Sequence, residues 1–186
     1  MYYKMKKYFY LVAILFIGLA FTSCSDSDDP ADNNQEEKDA AMQAITNQYV
    51  NNVIFPIYKE LATESNNLFN KIVDAKAKLR PNTLTQANID DICATFLKAR
   101  SAWERSEAFL YGAATDWGID PHIDTWPLDL TALAKALSNA EIIEDLDDLD
   151  NGGIDNVRAN VGESQLGFHG IEFILFRDGN ARQLAK

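Results

Sequence analysis

The sequence predicts an all-α, up-down helical bundle, and three observations predict it. Apolar side chains recur at spacings of three and four over long stretches, from Met42, Ile45, Tyr49, Val53, Ile57 and Leu61 on to Leu68, Ile72 and Leu79. Proline, glycine and asparagine fall between the periodic stretches, where helices end. No segment shows a convincing two-residue alternation, and no short-period repeat is present.

The elements follow in chain order. Lys4, Lys6 and Lys7 precede an uninterrupted apolar run from Tyr8 to Phe21, then Thr22-Ser23-Cys24. A basic start, a short apolar core and small residues before a cleavage point make a secretory signal, too short to span a bilayer comfortably. Residues 1–23 with Cys24 resemble a bacterial lipoprotein signal. That resemblance implies lipidation of Cys24 and anchoring in the outer membrane of a bacterial envelope, on the periplasmic side or at the surface. Residues 24–37, from Cys24 to Glu37, are acidic and almost free of apolar side chains, so they are expected to form a disordered, solvated tether.

Residues 38–186 are expected to form one helical domain, large enough for a real core. A helical pattern covers Lys38 to Lys78, with a kink or break expected near Val53–Phe55 because Pro56 lies inside it. A second helix should begin between Thr85 and Asn88 and run to Tyr111, stopped by Gly112, with Ile89, Ile92, Phe96, Trp103 and Leu110 on its apolar side. Ala113 to Pro127 reads as an irregular, functional loop. Pro127 is placed to open a third helix, Leu128 to Asn139. Ala140 to Leu149 reads as a short helix and Asn151-Gly152-Gly153 as a turn. A last helix, about Ser164 to Phe176, is closed by Arg177-Asp178-Gly179-Asn180.

Charge excludes some functions. Without the three lysines of residues 1–23, 14 basic and 28 acidic side chains remain. Such a surface repels phosphate backbones and anionic lipid, so nucleic acid is not an expected partner, whereas cations are tolerated or attracted. Cys93 sits beside Asp90 and Asp91 in a helical pattern. It is expected to be a small buried hydrophobe rather than an activated thiol.

The chemistry concentrates in Gly167-Phe168-His169-Gly170-Ile171-Glu172. In a helix His169 and Glu172 share one face, with roughly 5–6 Å between their Cβ atoms. That suits either two ligands of one metal ion or an imidazole held by a carboxylate. Each glycine inside this apolar helix costs roughly 1 kcal/mol relative to alanine, so another backbone or a ligand is expected to come close there. On the second helix Glu104 and Glu107 are also three apart. Either one converges with His169 and Glu172 on a metal in the bundle core, or it pairs with Lys98, Arg100 or Arg105 on a solvated face. In the loop His122 is expected to be exposed. Asp124 either hydrogen-bonds a ligand or His169, or caps a turn. Trp117 and Trp126 either line a pocket or cover the bundle's end. The helix signatures of zinc peptidases, the Gly-x-Ser-x-Gly elbow, phosphate loops and dinucleotide fingerprints are absent, so no catalytic residue is assigned.

Four stretches in order resemble the imelysin family of bacterial envelope proteins, also filed as imelysin-type peptidases. They are Val53-Ile54-Phe55-Pro56-Ile57-Tyr58, Trp103 to Gly112, Ile123-Asp124-Thr125-Trp126-Pro127-Leu128, and Gly167 to Glu172, which carries the family's Gly-x-His-x-x-Glu signature. The resemblance implies a fold of two helical bundles, of which this chain covers the first half, so a truncated product is expected. A second bundle or another copy would then cover the exposed face. It further implies iron or zinc as cofactor, iron-uptake proteins as partners, and ligand roles for His169 and Glu172. Glu104, Glu107 and Ser106 fall on the family's second-helix patch, Asp124 and Trp126 on its loop, and Gly167 on its signature. A non-catalytic interaction module and a metallopeptidase are the alternative functions.

Overall fold

The computed structural model describes residues 34–147 and 153–184. The expected signal, the expected lipidation at Cys24, most of the expected tether and the expected turn at Asn151-Gly152 lie outside them. The chain divides into two units between Ile45 and Thr46.

Helix α1, Gln35–Tyr49, starts within the stretch expected to be tether. Glu36 and Glu37 lie in its first turn, where the helix dipole favours carboxylates, and Gln35 donates to Asp39 one turn on. None of its residues is buried.

In the second unit a π-helical turn, Val50–Ile54, leads into α2, Phe55–Leu79. This is the local form of the break expected at Pro56. Proline offers no N–H and its ring crowds the carbonyl four residues back. The wider turn, in which the Phe55 N–H reaches Val50 O, accommodates both. Three residues past the end of α2, Asn82 sits at φ 56°. There the amides of Asn82 and Thr83 turn back to Leu79 O and Lys78 O, both at 3.0 Å.

Helix α3, Gln86–Ser106, opens with Thr85 and Asn88 in a reciprocal capping box. It runs antiparallel to α2. Lys71 late in α2 meets Asp91 early in α3 at 2.6 Å, and Glu60 early in α2 meets Arg105 late in α3 at 2.7 Å. Along the pair runs the core: Leu61, Leu68 and Ala75 of α2 against Ile92, Phe96, Ala99, Ala102 and Trp103 of α3. Cys93 is also buried. Burial and then the neighbouring Asp90 charge push its thiol pKa up, as expected of an inert cysteine.

Helix α3 ends five residues short of the expected Tyr111, passing through a 3₁₀ turn, Glu107–Phe109, before Gly112 at φ 66°. The stretch read as irregular holds two short helices, α4 (Ala113–Asp116) and α5 (Ile119–Ile123). Helix α6, Leu130–Ala136, is capped by Asp129, whose Oδ1 accepts from Ala132 N at 2.9 Å. A side-chain cap, rather than Pro127, sets its start. Helix α7, Ala140–Asp147, is the acidic helix expected. Helix α8, Gly153–Asn160, was not expected.

A 3₁₀ turn, Glu163–Gln165, leads into α9, Gly167–Leu175. Phe168 anchors α9 to the α2–α3 core, its ring 5.8 Å from that of Phe96. A two-residue antiparallel pair, β1 (Phe176–Arg177) and β2 (Asn180–Ala181), forms where only a closing turn was expected. The Gln86 side chain clamps the segment beyond it, donating to Arg182 O and accepting from Leu184 N.

Candidate metal-binding pair on the signature helix

Both glycines of the signature helix owe their place to close backbone neighbours. Gly167 has φ +71°, and a Cβ there would run into the Ile123 carbonyl; a Cβ on Gly170 would meet the Gln165 carbonyl. The first contact presses the start of α9 against the end of α5, which brings His169 to Asp124.

Asp124 is the hub. Its side chain is 8% exposed. Oδ1 accepts from Arg100 Nη1 at 2.7 Å and lies 3.2 Å from His169 Nε2. Oδ2 accepts from the indole Nε1–H of Trp103 at 2.8 Å. Trp103 is fully buried, and burial of an indole N–H requires an acceptor. With Nε2–H directed at Asp124, the imidazole turns Nδ1 toward Glu172, whose Oε2 is 3.9 Å away. That gap is too long for a hydrogen bond. The His169 side chain is 17% exposed and that of Glu172 53%. The Trp126 ring stands 4.7 Å from the imidazole, and the Trp126–Pro127 peptide is cis.

The expected convergence of Glu104 or Glu107 on this pair does not occur. Glu104 accepts from Arg100 Nε at 3.0 Å, the solvated-face pairing, because the guanidinium one turn earlier offers a second N–H. Glu107 lies exposed in the 3₁₀ turn that ends the helix. Ser106 is fully buried and donates to Trp103 O of its own helix at 2.7 Å, so it lines no pocket. His122 is exposed, with Nε2 3.2 Å from Glu163. Trp117 and Trp126 are both largely exposed. Arg100 is the site residue sequence reasoning placed only as a partner for Glu104. Its signal is a cation inside an apolar stripe, between Phe96 and Trp103.

Among the described residues no group of three or more His, Cys, Asp or Glu side chains is placed to hold a metal ion. What the residues supply is an edge of two: an imidazole nitrogen and a carboxylate, with a second carboxylate fixing the far side of the ring. This fits a first-row metal as a partial donor set, because ligating histidines characteristically donate their other N–H to a carboxylate.

Fold and site together define a helical-bundle protein with a carboxylate-buttressed His-x-x-Glu pair at a helix crossing. The chain belongs to the imelysin family, whose model, described as Imelysin, matches residues 54–186. Iron-regulated protein A of Synechococcus elongatus is 30% identical over 136 residues, covering 71% of this chain and 32% of that relative. An imelysin peptidase from Bacteroides ovatus is similar in structure, with a TM-score of 0.56 and 29% identity over 74% of this chain and 37% of its own. A Parabacteroides distasonis protein described as an iron-regulated protein A precursor gives 0.63 and 26%, over 86% of this chain and 39% of its own. The chain thus spans about a third of the length of the curated relative it matches.

Proposed function

We propose that this chain serves iron handling at the bacterial cell envelope by binding a metal ion at the edge formed by His169 and Glu172. One observation carries the reading: Asp124 holds Nε2 of His169, which leaves Nδ1 directed at the Glu172 carboxylate. Imidazole and carboxylate donors suit zinc and iron. Arg100 keeps Asp124 out of the ligand set, so Asp124 positions the imidazole rather than binding the ion. The names of the relatives, iron-regulated protein A and its precursor, support iron as the metal and export from the cytoplasm as the location. Cys24 supplies the lipid anchor in this reading. The peptidase description of the Bacteroides relative finds no standard protease motif in this chain.

Calorimetric titration of the purified chain with ferric, ferrous and zinc ions tests the proposal, beside His169→Ala and Glu172→Ala. Binding that both substitutions abolish without loss of helical signal is the expected result. A folded parent that binds none of the ions overturns it and leaves a structural imidazole–carboxylate bridge between α5 and α9.

A further inference from the structure

We infer that Trp126 is a positioning residue for this site: its indole holds the plane of the His169 imidazole, so that Nδ1 keeps its aim at Glu172. The inference rests on the metal reading above for its zinc arm; its ring arm stands without a metal.

The first support is that Asp124 fixes a point on the ring and not its plane. Oδ1 of Asp124 meets His169 Nε2 at 3.2 Å, while Arg100 Nη1 holds the same oxygen at 2.7 Å. A single long hydrogen bond to a shared oxygen leaves the imidazole free to rock about the N···O line. Glu172 gives no brace, because its carboxylate stands 3.9 Å from Nδ1 on a half-exposed side chain. What remains to be held is the face of the ring. The Trp126 ring supplies that contact, its centroid 4.7 Å from that of the imidazole and its plane tilted by 52°. The separation lies within the range over which aromatic rings attract.

The second support is how the indole is delivered. Trp126 follows Asp124 by two residues, on a segment fastened at both ends. Before it, the Asp124 amide donates to Asp120 O at 2.8 Å and the Thr125 hydroxyl donates to Pro121 O. After it, the Asp129 amide donates to Ser164 O at 2.8 Å, in the turn that leads into α9. Trp126 is 71% exposed, so burial in the core is not what keeps the indole in place. The pinned segment instead lays it against the imidazole. An ion arriving at Nδ1 then meets a ring already oriented, and the cost of ordering it is not left to the binding step.

The test is nuclear magnetic resonance on the purified chain carrying isotope-labelled histidine, beside zinc calorimetry. The spectra are taken at about pH 8, where an ordinary imidazole is neutral. The chain has two histidines, and the exposed His122 serves as the internal reference. In the parent the two ring nitrogens of His169 are expected to be well separated in shift, with the proton on Nε2. Trp126→Ala should draw those two shifts together and leave the His122 shifts in place. It should also weaken zinc about three- to ten-fold, the worth of one aromatic contact. Trp126→Phe keeps a ring against the imidazole and should restore both readouts. Because the indole is exposed, neither substitution should move the urea midpoint by much. His169 shifts in Trp126→Ala that match the parent's overturn the inference, whatever zinc does. Shifts that draw together while zinc affinity stays unchanged overturn the link between ring and site. A loss that Trp126→Phe fails to restore overturns the ring contact as its cause. A parent that binds no zinc removes the metal reading, and the ring arm then decides this one by itself.

Discussion

Asp124 joins more of the molecule than either signature residue does. It receives the indole of the core tryptophan, the Arg100 guanidinium and the His169 ring, which come from two helices packed on each other. Truncation would leave a buried N–H without an acceptor and a mostly buried guanidinium with only the exposed Glu104 as partner, and breaking a buried pair in this way costs about 3 kcal/mol. Asp124→Ala is therefore expected to lower the urea midpoint sharply, with a loss of that size. Asp124→Asn keeps an acceptor for one donor only, and its midpoint should fall between those of Asp124→Ala and the parent. A midpoint for Asp124→Ala within error of the parent would remove Asp124 from its role as hub. Gly170 makes a separate prediction, because a methyl group there meets the Gln165 carbonyl and cannot push a backbone aside cheaply. Gly170→Ala gives up the roughly 1 kcal/mol of helix propensity it would otherwise gain and should lower the melting temperature.

At the scale of elements, the helices legible in the sequence are those long enough to show a stripe. The α2–α3 pair was readable because Leu61, Leu68, Ile92, Phe96 and Trp103 repeat over several turns and all end up in the core. Helices α4 and α5 are a single turn or little more, below the length at which a period can be seen. Helix α8 was missed because its eight residues offer only Ile154 and Val157 as large apolar positions, too short a run to show a period. The site was half legible for a related reason. His169 and Glu172 share a helix, and spacing alone pairs them. Asp124 was one of several open readings, and Arg100 gains its meaning only once α5 and α9 meet over α3. The start of α3 at Gln86 falls within the expected window from Thr85 to Asn88, and its cap can be tested. Thr85→Ala removes the acceptor for Asn88 N and the hydroxyl that donates to Asn88 Oδ1, while the backbone N–H of residue 85 keeps its bond to that oxygen, so a loss of about 1 kcal/mol in urea unfolding is expected.

For the whole molecule the dominant feature is negative charge, and its pH response separates into two opposed parts. At neutral pH the excess carboxylates repel one another, and acidification relieves that repulsion. Paired carboxylates act the other way. Asp147, at the end of α7, meets Lys76 at 2.9 Å and Arg80 at 3.0 Å, which ties α7 to the end of α2. The Lys76 bond and charge, then Arg80, hold its pKa below the ordinary carboxylate value. A folded-state pKa lower than the unfolded one adds stability that is complete above the unfolded value. That stability fades as pH falls toward the folded pKa and is absent below it. Asp147→Asn deletes this contribution and leaves most of the other charges in place. The gap between parent and variant in urea midpoint should therefore be widest at neutral pH and close as the solution is taken below the carboxylate range. A gap that stays constant across that range would mean that Asp147 holds α7 through hydrogen bonds that asparagine cannot copy, and that its charge contributes nothing.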